Sequence, residues 1–196
     1  MLDTIDPALL AMLKGRHAEP QRHYHDWTHI EALLKHFGRA GDLVANQTAV
    51  LYAILFHDSV YDPKAADNER QSARLLIETA PGIDPASLEL ARRMILATEG
   101  HYLPDDIPGE AQRDTALFLD MDLAILGADE ERFDIYEDQI RREYAHVPED
   151  RYREGRSAVL RSFAGRKMLY FSDWGRDRFE DKARANLERS LARLAA

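Results

Sequence analysis

Apolar residues recur along this chain at helical spacing from end to end, and no stretch alternates apolar with polar residues over the length of a strand. The pattern predicts an all-α fold. Asp6-Pro7 and Asp84-Pro85 each place a capping carboxylate ahead of a proline at the first helical position, where a missing N–H costs nothing. Helices are therefore predicted from Pro7 to about Lys14, before Gly15, and from Pro85 to about Glu99, before Gly100. Between them the pattern predicts helices over 26–37, 46–58 and 68–80. The last of these opens with Asn68-x-x-Gln71, a capping-box spacing, and is closed by Pro81-Gly82. Downstream helices are predicted over 112–126, 129–144, 149–163 and 179–194, separated by Gly127, Pro148 and the stretch Ser172–Gly175. With no internal repeat and no long linker, a single domain over 1–196 is expected, its core at about 20–127 and helices over 128–196 packing on it.

The run Ala49–Phe56, AVLYAILF, is apolar all round, which marks a helix enclosed by others. It leads directly into His57-Asp58, so two groups capable of metal binding or acid/base work emerge at the end of the most buried element. The composition narrows what they can do. The chain has 196 residues, 45% of them hydrophobic, enough for a core that needs no metal or disulfide merely to fold. It has no cysteine, which excludes disulfide scaffolds, thiolate zinc sites, iron–sulfur clusters and cysteine nucleophiles. The net charge of −9 lacks the basic footprint of a nucleic-acid binder. The longest uninterrupted apolar run is far too short to span a bilayer and the start lacks a signal-like apolar segment, so no membrane partner and a cytoplasmic location are expected.

On the helix predicted over 26–37, Trp27, Ile30, Leu33, Leu34 and Phe37 share an arc of roughly 120° and form the core face. His25, His29 and His36 share one flank beside it, His29 closest to the apolar arc. Histidines beside a core face are commonly satisfied by backbone hydrogen bonds, so no one of them is a site by itself. Further on, Asp120 and Asp122 stand inside the otherwise apolar stretch from Ala116 to Gly127, where an unpaired carboxylate would be costly. An arginine could compensate them; a divalent cation shared with His29, His57 and Asp58 would account for the groups together.

The order His29, then His57-Asp58, then a distal Asp on a helix resembles the HD superfamily of metal-dependent phosphohydrolases. More narrowly, the chain is similar to a bacterial family of predicted HD phosphohydrolases. The likeness runs through Arg22-His23-Tyr24-His25 with His29-Ile30, FHDSVYD, Asp67-Asn68-Glu69 with Ser72-Ala73, Ala97 to His101, DMDLAILG, Ile140 to Tyr144, Tyr152 to Arg156, and Ala183 to Leu187. It covers roughly residues 20–190 and departs at Asp26-Trp27-Thr28, where the family has an Asn-Leu-type filling. The resemblance implies a single HD-type helical bundle with His29, His57, Asp58 and Asp122 as metal ligands. Asp122 is chosen over Asp120 because it directly precedes the Leu-rich segment; Asp120, about 200° round the helix, is expected to cap or pair.

Two neutral imidazoles and two carboxylates would leave a six-coordinate ion near neutral, with about two positions for water and a phosphate oxygen. The activity the resemblance implies is hydrolysis of a phosphoester or phosphoanhydride bond of a small phosphorylated metabolite, such as a nucleotide, by metal-activated water, with Asp58 and Glu69 as the expected catalytic residues. Arg22, His25, His101 and Arg156 are the expected substrate contacts, the arginines because a guanidinium fork suits phosphate. The expected cofactor is one divalent ion (Mn, Mg, Ni, Co or Fe), with a second left open by the extra donors His25, Glu69 and His101. Two other readings stand beside this one: a di-iron centre doing oxygen chemistry, and a non-catalytic nucleotide- or metal-binding module. Oligomeric state is not assigned.

Overall fold

The computed structural model describes residues 2–80, 82–107 and 109–195. The capping carboxylates act where the sequence places them. Asp6 accepts from the Ala8 and Leu9 N–H groups and opens α1 (Pro7–His17), and Asp84 accepts from the Ser87 N–H and opens α5 (Pro85–Ala97). Asp26 starts α2 (Trp27–Ala40) through the Thr28 N–H, and Asn46 starts α3 (Gln47–Phe56) through the Ala49 N–H. The remaining helices are α4 (Asn68–Thr79), α6 (Gly109–Asp122), α7 (Glu130–Glu143), α8 (Glu149–Ala164) and α9 (Asp173–Ala195), with a short 3-10 helix at Leu123–Gly127. The fold is all-α, and no strand occurs among the described residues.

Three local expectations are corrected. Helix α1 runs through Gly15 instead of stopping before it, because Leu13 and His17 are buried on its inner face and outweigh the ~1 kcal/mol propensity cost of one glycine. Asn68 is the first residue of α4 and its side chain turns back to the Asp62 backbone, while Gln71 donates to the Asp67 carboxylate, so no capping box forms. Helix α9 begins at Asp173, earlier than the predicted Phe179, the buried Trp174 and Gly175 belonging to its first turn. Pro81 of the predicted Pro81-Gly82 stop lies outside the described residues.

Backbone contacts group the chain into two units, one ending at Leu119 and one beginning at Asp120, with α6 continuous from Gly109 to Asp122. In the first unit α3 is buried from Ala49 through Phe56, and α2, α4 and α5 pack on it. Its start is held by the buried Asp114 carboxylate of α6, which accepts from the Ala45 (2.9 Å) and Asn46 (2.7 Å) N–H groups. A helix fixed at its entry and enclosed along its length delivers His57 and Asp58 to a defined place. In the second unit α9 packs on the 3-10 helix and on α8, and α7 packs on the 3-10 helix. A Cβ on Gly127 would lie 2.6 Å from the Phe179 Cβ and 2.7 Å from its carbonyl oxygen, so only glycine lets α9 pass this close. Among the described residues no helix is long and apolar enough to cross a membrane.

Candidate metal centre

Helix α3 ends at Phe56, and the His57 ring folds back so that Nδ1 donates to the Ile54 carbonyl at 3.0 Å. A carbonyl only accepts, so the proton sits on Nδ1 and the Nε2 lone pair points away from the helix. That lone pair faces His29 Nε2, one turn into α2, at 3.1 Å, and Asp58 Oδ2 lies 3.0 Å from His57 Nε2 and 3.7 Å from His29 Nε2. The imidazoles are buried, at 4% and 1% exposure, while Asp58 keeps 19% of its side chain open. Asp122, the last residue of α6, is also buried, and its carboxylate and the two imidazoles each offer a ligand atom, all within 4.8 Å of one another. A buried His-His-Asp group thus sits within metal-binding distance in an all-helical fold. Phe118, one turn earlier on α6, closes one wall with its ring edge-on to His57 at 5.8 Å.

The donor set fits a divalent cation. Two ligand atoms bound at about 2.1 Å and at right angles stand about 3.0 Å apart, which is the spacing of the His29–His57 and His57–Asp58 pairs. With the His57 proton fixed on Nδ1, its Nε2 lone pair faces His29 Nε2 and the Asp58 carboxylate oxygen, a donor set that could hold a cation. Burial by itself would raise the Asp58 pKa; the His57, His25 and His29 imidazoles, when they carry a second proton in place of a cation, outweigh it and hold the carboxyl well below the usual range. The ligands are nitrogen and oxygen only, which leaves the metal's identity open.

The other expected site residues are placed as follows. His25 is half-buried just before α2, stacked on Tyr61 at 4.3 Å and edge-on to Tyr24 at 5.0 Å, near enough to Asp58 for its charge to lower that carboxyl's pKa. Tyr24 and Tyr61 are themselves buried, so they support His25 and His29 more than they line open space. Glu69 is half-buried in the first turn of α4. His101 lies in the turn after α5 with a left-handed backbone (φ 49°), and it is outside the converging group. Arg22 has no exposed side-chain surface, and its N–H groups bond Glu19 and the backbone carbonyls of His25, Asp58 and Ser59. Arg156, in the second unit, is committed to the Tyr136 hydroxyl (2.9 Å) and to an ion pair with Glu137. Asp120 accepts from the Phe171 and Ser172 N–H groups at 2.7 and 2.8 Å and from the Ser172 hydroxyl, and burial pushes its pKa up to about 6 against those bonds. His36 is half-buried, and burial together with Arg39 and Lys35 lowers its pKa to about 4.

His17 was not singled out by the sequence pattern, yet it is buried at 1% exposure at the end of α1, edge-on to Trp27. Its Nδ1 donates to the Leu13 carbonyl, a bond that the i, i+4 spacing permits on any helix and so gives no signal. Burial, helped by Arg22, lowers its pKa to about 4. The unfolded chain takes up this proton near 6.5 and the folded one only near 4, so stability is full above that window and is lost as pH falls through it. The shift corresponds to roughly 3 kcal/mol at most. Denaturant unfolding at pH 7.5 and pH 5 is expected to show a smaller loss in His17→Leu than in the parent protein; equal losses would remove His17 as the cause.

Comparison with family models, with curated proteins and with solved structures returns no match. The functional reading therefore rests on the geometry of the site.

Proposed function

We propose that this protein is a divalent-cation-dependent phosphohydrolase of the HD type, acting on a phosphoester or phosphoanhydride bond of a small phosphorylated metabolite such as a nucleotide. The observation that carries this reading is the buried group of His29, His57 and Asp122, whose ligand atoms lie within 4.8 Å of one another, with Asp58 Oδ2 3.0 and 3.7 Å from the two imidazole Nε2 atoms. When bound there, a divalent cation would polarise a phosphoryl oxygen and lower the pKa of a water molecule.

The chain's own groups do the rest. His57 is held in its ligating tautomer by the Ile54 carbonyl, so no proton has to leave Nε2 before a cation enters. The Asp58 carboxylate stays ionised and, being partly open, can also accept a hydrogen bond from a water oriented for attack. His25, half-buried and near enough to influence Asp58, would hold a proton that a leaving alkoxide or phosphate requires, and Glu69 is the second candidate for that transfer.

The test is release of inorganic phosphate from a panel of nucleoside mono-, di- and triphosphates and sugar phosphates, with Mn²⁺ or Co²⁺ supplied. Turnover of at least one class, abolished by chelator and restored by metal, is expected. A metal-loaded protein inert towards the whole panel would contradict the reading, and consumption of O₂ by an iron-loaded sample would replace it with oxygen chemistry.

A further inference from the structure

Arg22 is a buried cation, its two Nη groups turned to main-chain carbonyls and its Nε to a part-exposed carboxylate. Nε bonds Glu19 Oε2 at 3.1 Å, Nη1 bonds the carbonyls of His25 (2.9 Å) and Asp58 (2.6 Å), and Nη2 reaches the Ser59 carbonyl at 3.4 Å. The guanidinium also lies 5.4 Å from the centre of the Tyr61 ring. These carbonyls belong to two segments far apart in sequence. One leads into α2 and its His29; the other is the turn that carries His57 and Asp58.

We propose that Arg22 is a positioning residue for the cation site, fixing the Asp58 carboxylate relative to His29. The choice of partners supports this. Had the guanidinium bonded the Asp58 carboxylate, it would compete with a metal for the same oxygen; it bonds the Asp58 main-chain carbonyl instead and leaves Oδ2 facing His57 Nε2. A buried guanidinium is costly unless its donors are satisfied. Here the satisfying groups are the ligand-bearing turn and the approach to α2. Planarity matters as well: several donors in one rigid fork hold two segments at a set separation, which an ammonium on a flexible stem does not. Gln21 adds a second tie between the same segments, donating to the Tyr61 carbonyl at 3.2 Å. On this account Arg22 acts through Asp58 and does not touch substrate.

The inference rests on the metal reading above. Its test compares Arg22→Lys and Arg22→Gln with the parent protein, using Mn²⁺ calorimetry on folded samples, the Co²⁺ absorption spectrum and the melting temperature without metal. Outer partners of metal ligands typically change affinity by ~10- to 100-fold, and a loss of that size with an altered Co²⁺ spectrum is expected for both variants, lysine giving no full rescue. A lower melting temperature with parent-like affinity and spectrum would make Arg22 merely structural and overturn the proposal. If neither variant folds, Glu19→Ala loosens the clamp from its part-exposed end. A several-fold weaker Mn²⁺ affinity then supports the proposal, and unchanged affinity overturns it. Failure of the parent protein to bind Mn²⁺ would overturn the metal reading itself, whereas binding that is equal in parent and variants overturns only the role of Arg22.

Discussion

Asp58→Ala is expected to yield a folded, helical protein that neither retains a divalent cation nor hydrolyses phosphate esters. The carboxylate approaches both imidazoles, at 3.0 and 3.7 Å, and without it the two imidazoles would face a cation with Asp122 as the one charged partner left. The loss in affinity should exceed the ~10- to 100-fold typical of outer partners, since a direct ligand is removed. The fold should survive. The side chain is partly open, while the main-chain carbonyl that Arg22 grips is untouched, and α3 is held by its own burial and by Asp114. Calorimetry with Mn²⁺, phosphate release and far-ultraviolet circular dichroism measure the three consequences separately. Parent-like turnover in this variant would exclude Asp58 from the chemistry.

Asp120→Ala should show the opposite profile, a large loss of stability arising within the second unit. Its carboxylate takes the N–H groups of Phe171 and Ser172 and the Ser172 hydroxyl, joining α6 to the segment that enters α9. Gly175 is packed so tightly on this carboxylate that a Cβ there would lie 2.4 Å from Oδ2. Removing the acceptor strands two part-buried N–H donors and opens space beneath α9, a cost of about 3 kcal/mol or more. For a chain of this length that lowers the melting temperature by roughly 6–12 °C. Thermal unfolding of Asp120→Ala and Asp120→Asn measures it, with the asparagine variant also destabilised because an amide presents only one acceptor oxygen to these donors. A melting temperature within a degree of the parent would show that the Phe171–Ser172 turn is held by something else.

Local patterns carried the helical architecture and the identity of its most enclosed element. Asp6, Asp26, Asn46 and Asp84 cap the helices they precede, and the uninterrupted apolar run of α3 is buried throughout because only a helix surrounded by others can use such a run. The convergence of His29 with His57 was legible as two polar groups set beside or after apolar faces. What was not legible lies between residues far apart in sequence. The Asp120 partners are 51 and 52 residues away, and the Asp58 carbonyl lies 36 residues from Arg22, so neither link leaves a periodic trace. Arg156 illustrates the same limit: the family-like Tyr152 to Arg156 stretch marks it as a phosphate candidate, while Glu137, across from it on α7, takes up its charge. Residue type announces what a side chain can bind, and only packing decides which partner reaches it first.

The proposed site holds one divalent cation among His29, His57, Asp58 and Asp122. The most direct test is elemental analysis by mass spectrometry of protein purified without chelator or metal-affinity resin, beside Asp58→Ala prepared identically. On the order of one transition-metal ion per chain is expected in the parent protein, and its loss in the variant. No metal in the parent, even after incubation with Mn²⁺, would contradict it and leave the two histidines and the aspartate as a hydrogen-bonded feature of the core.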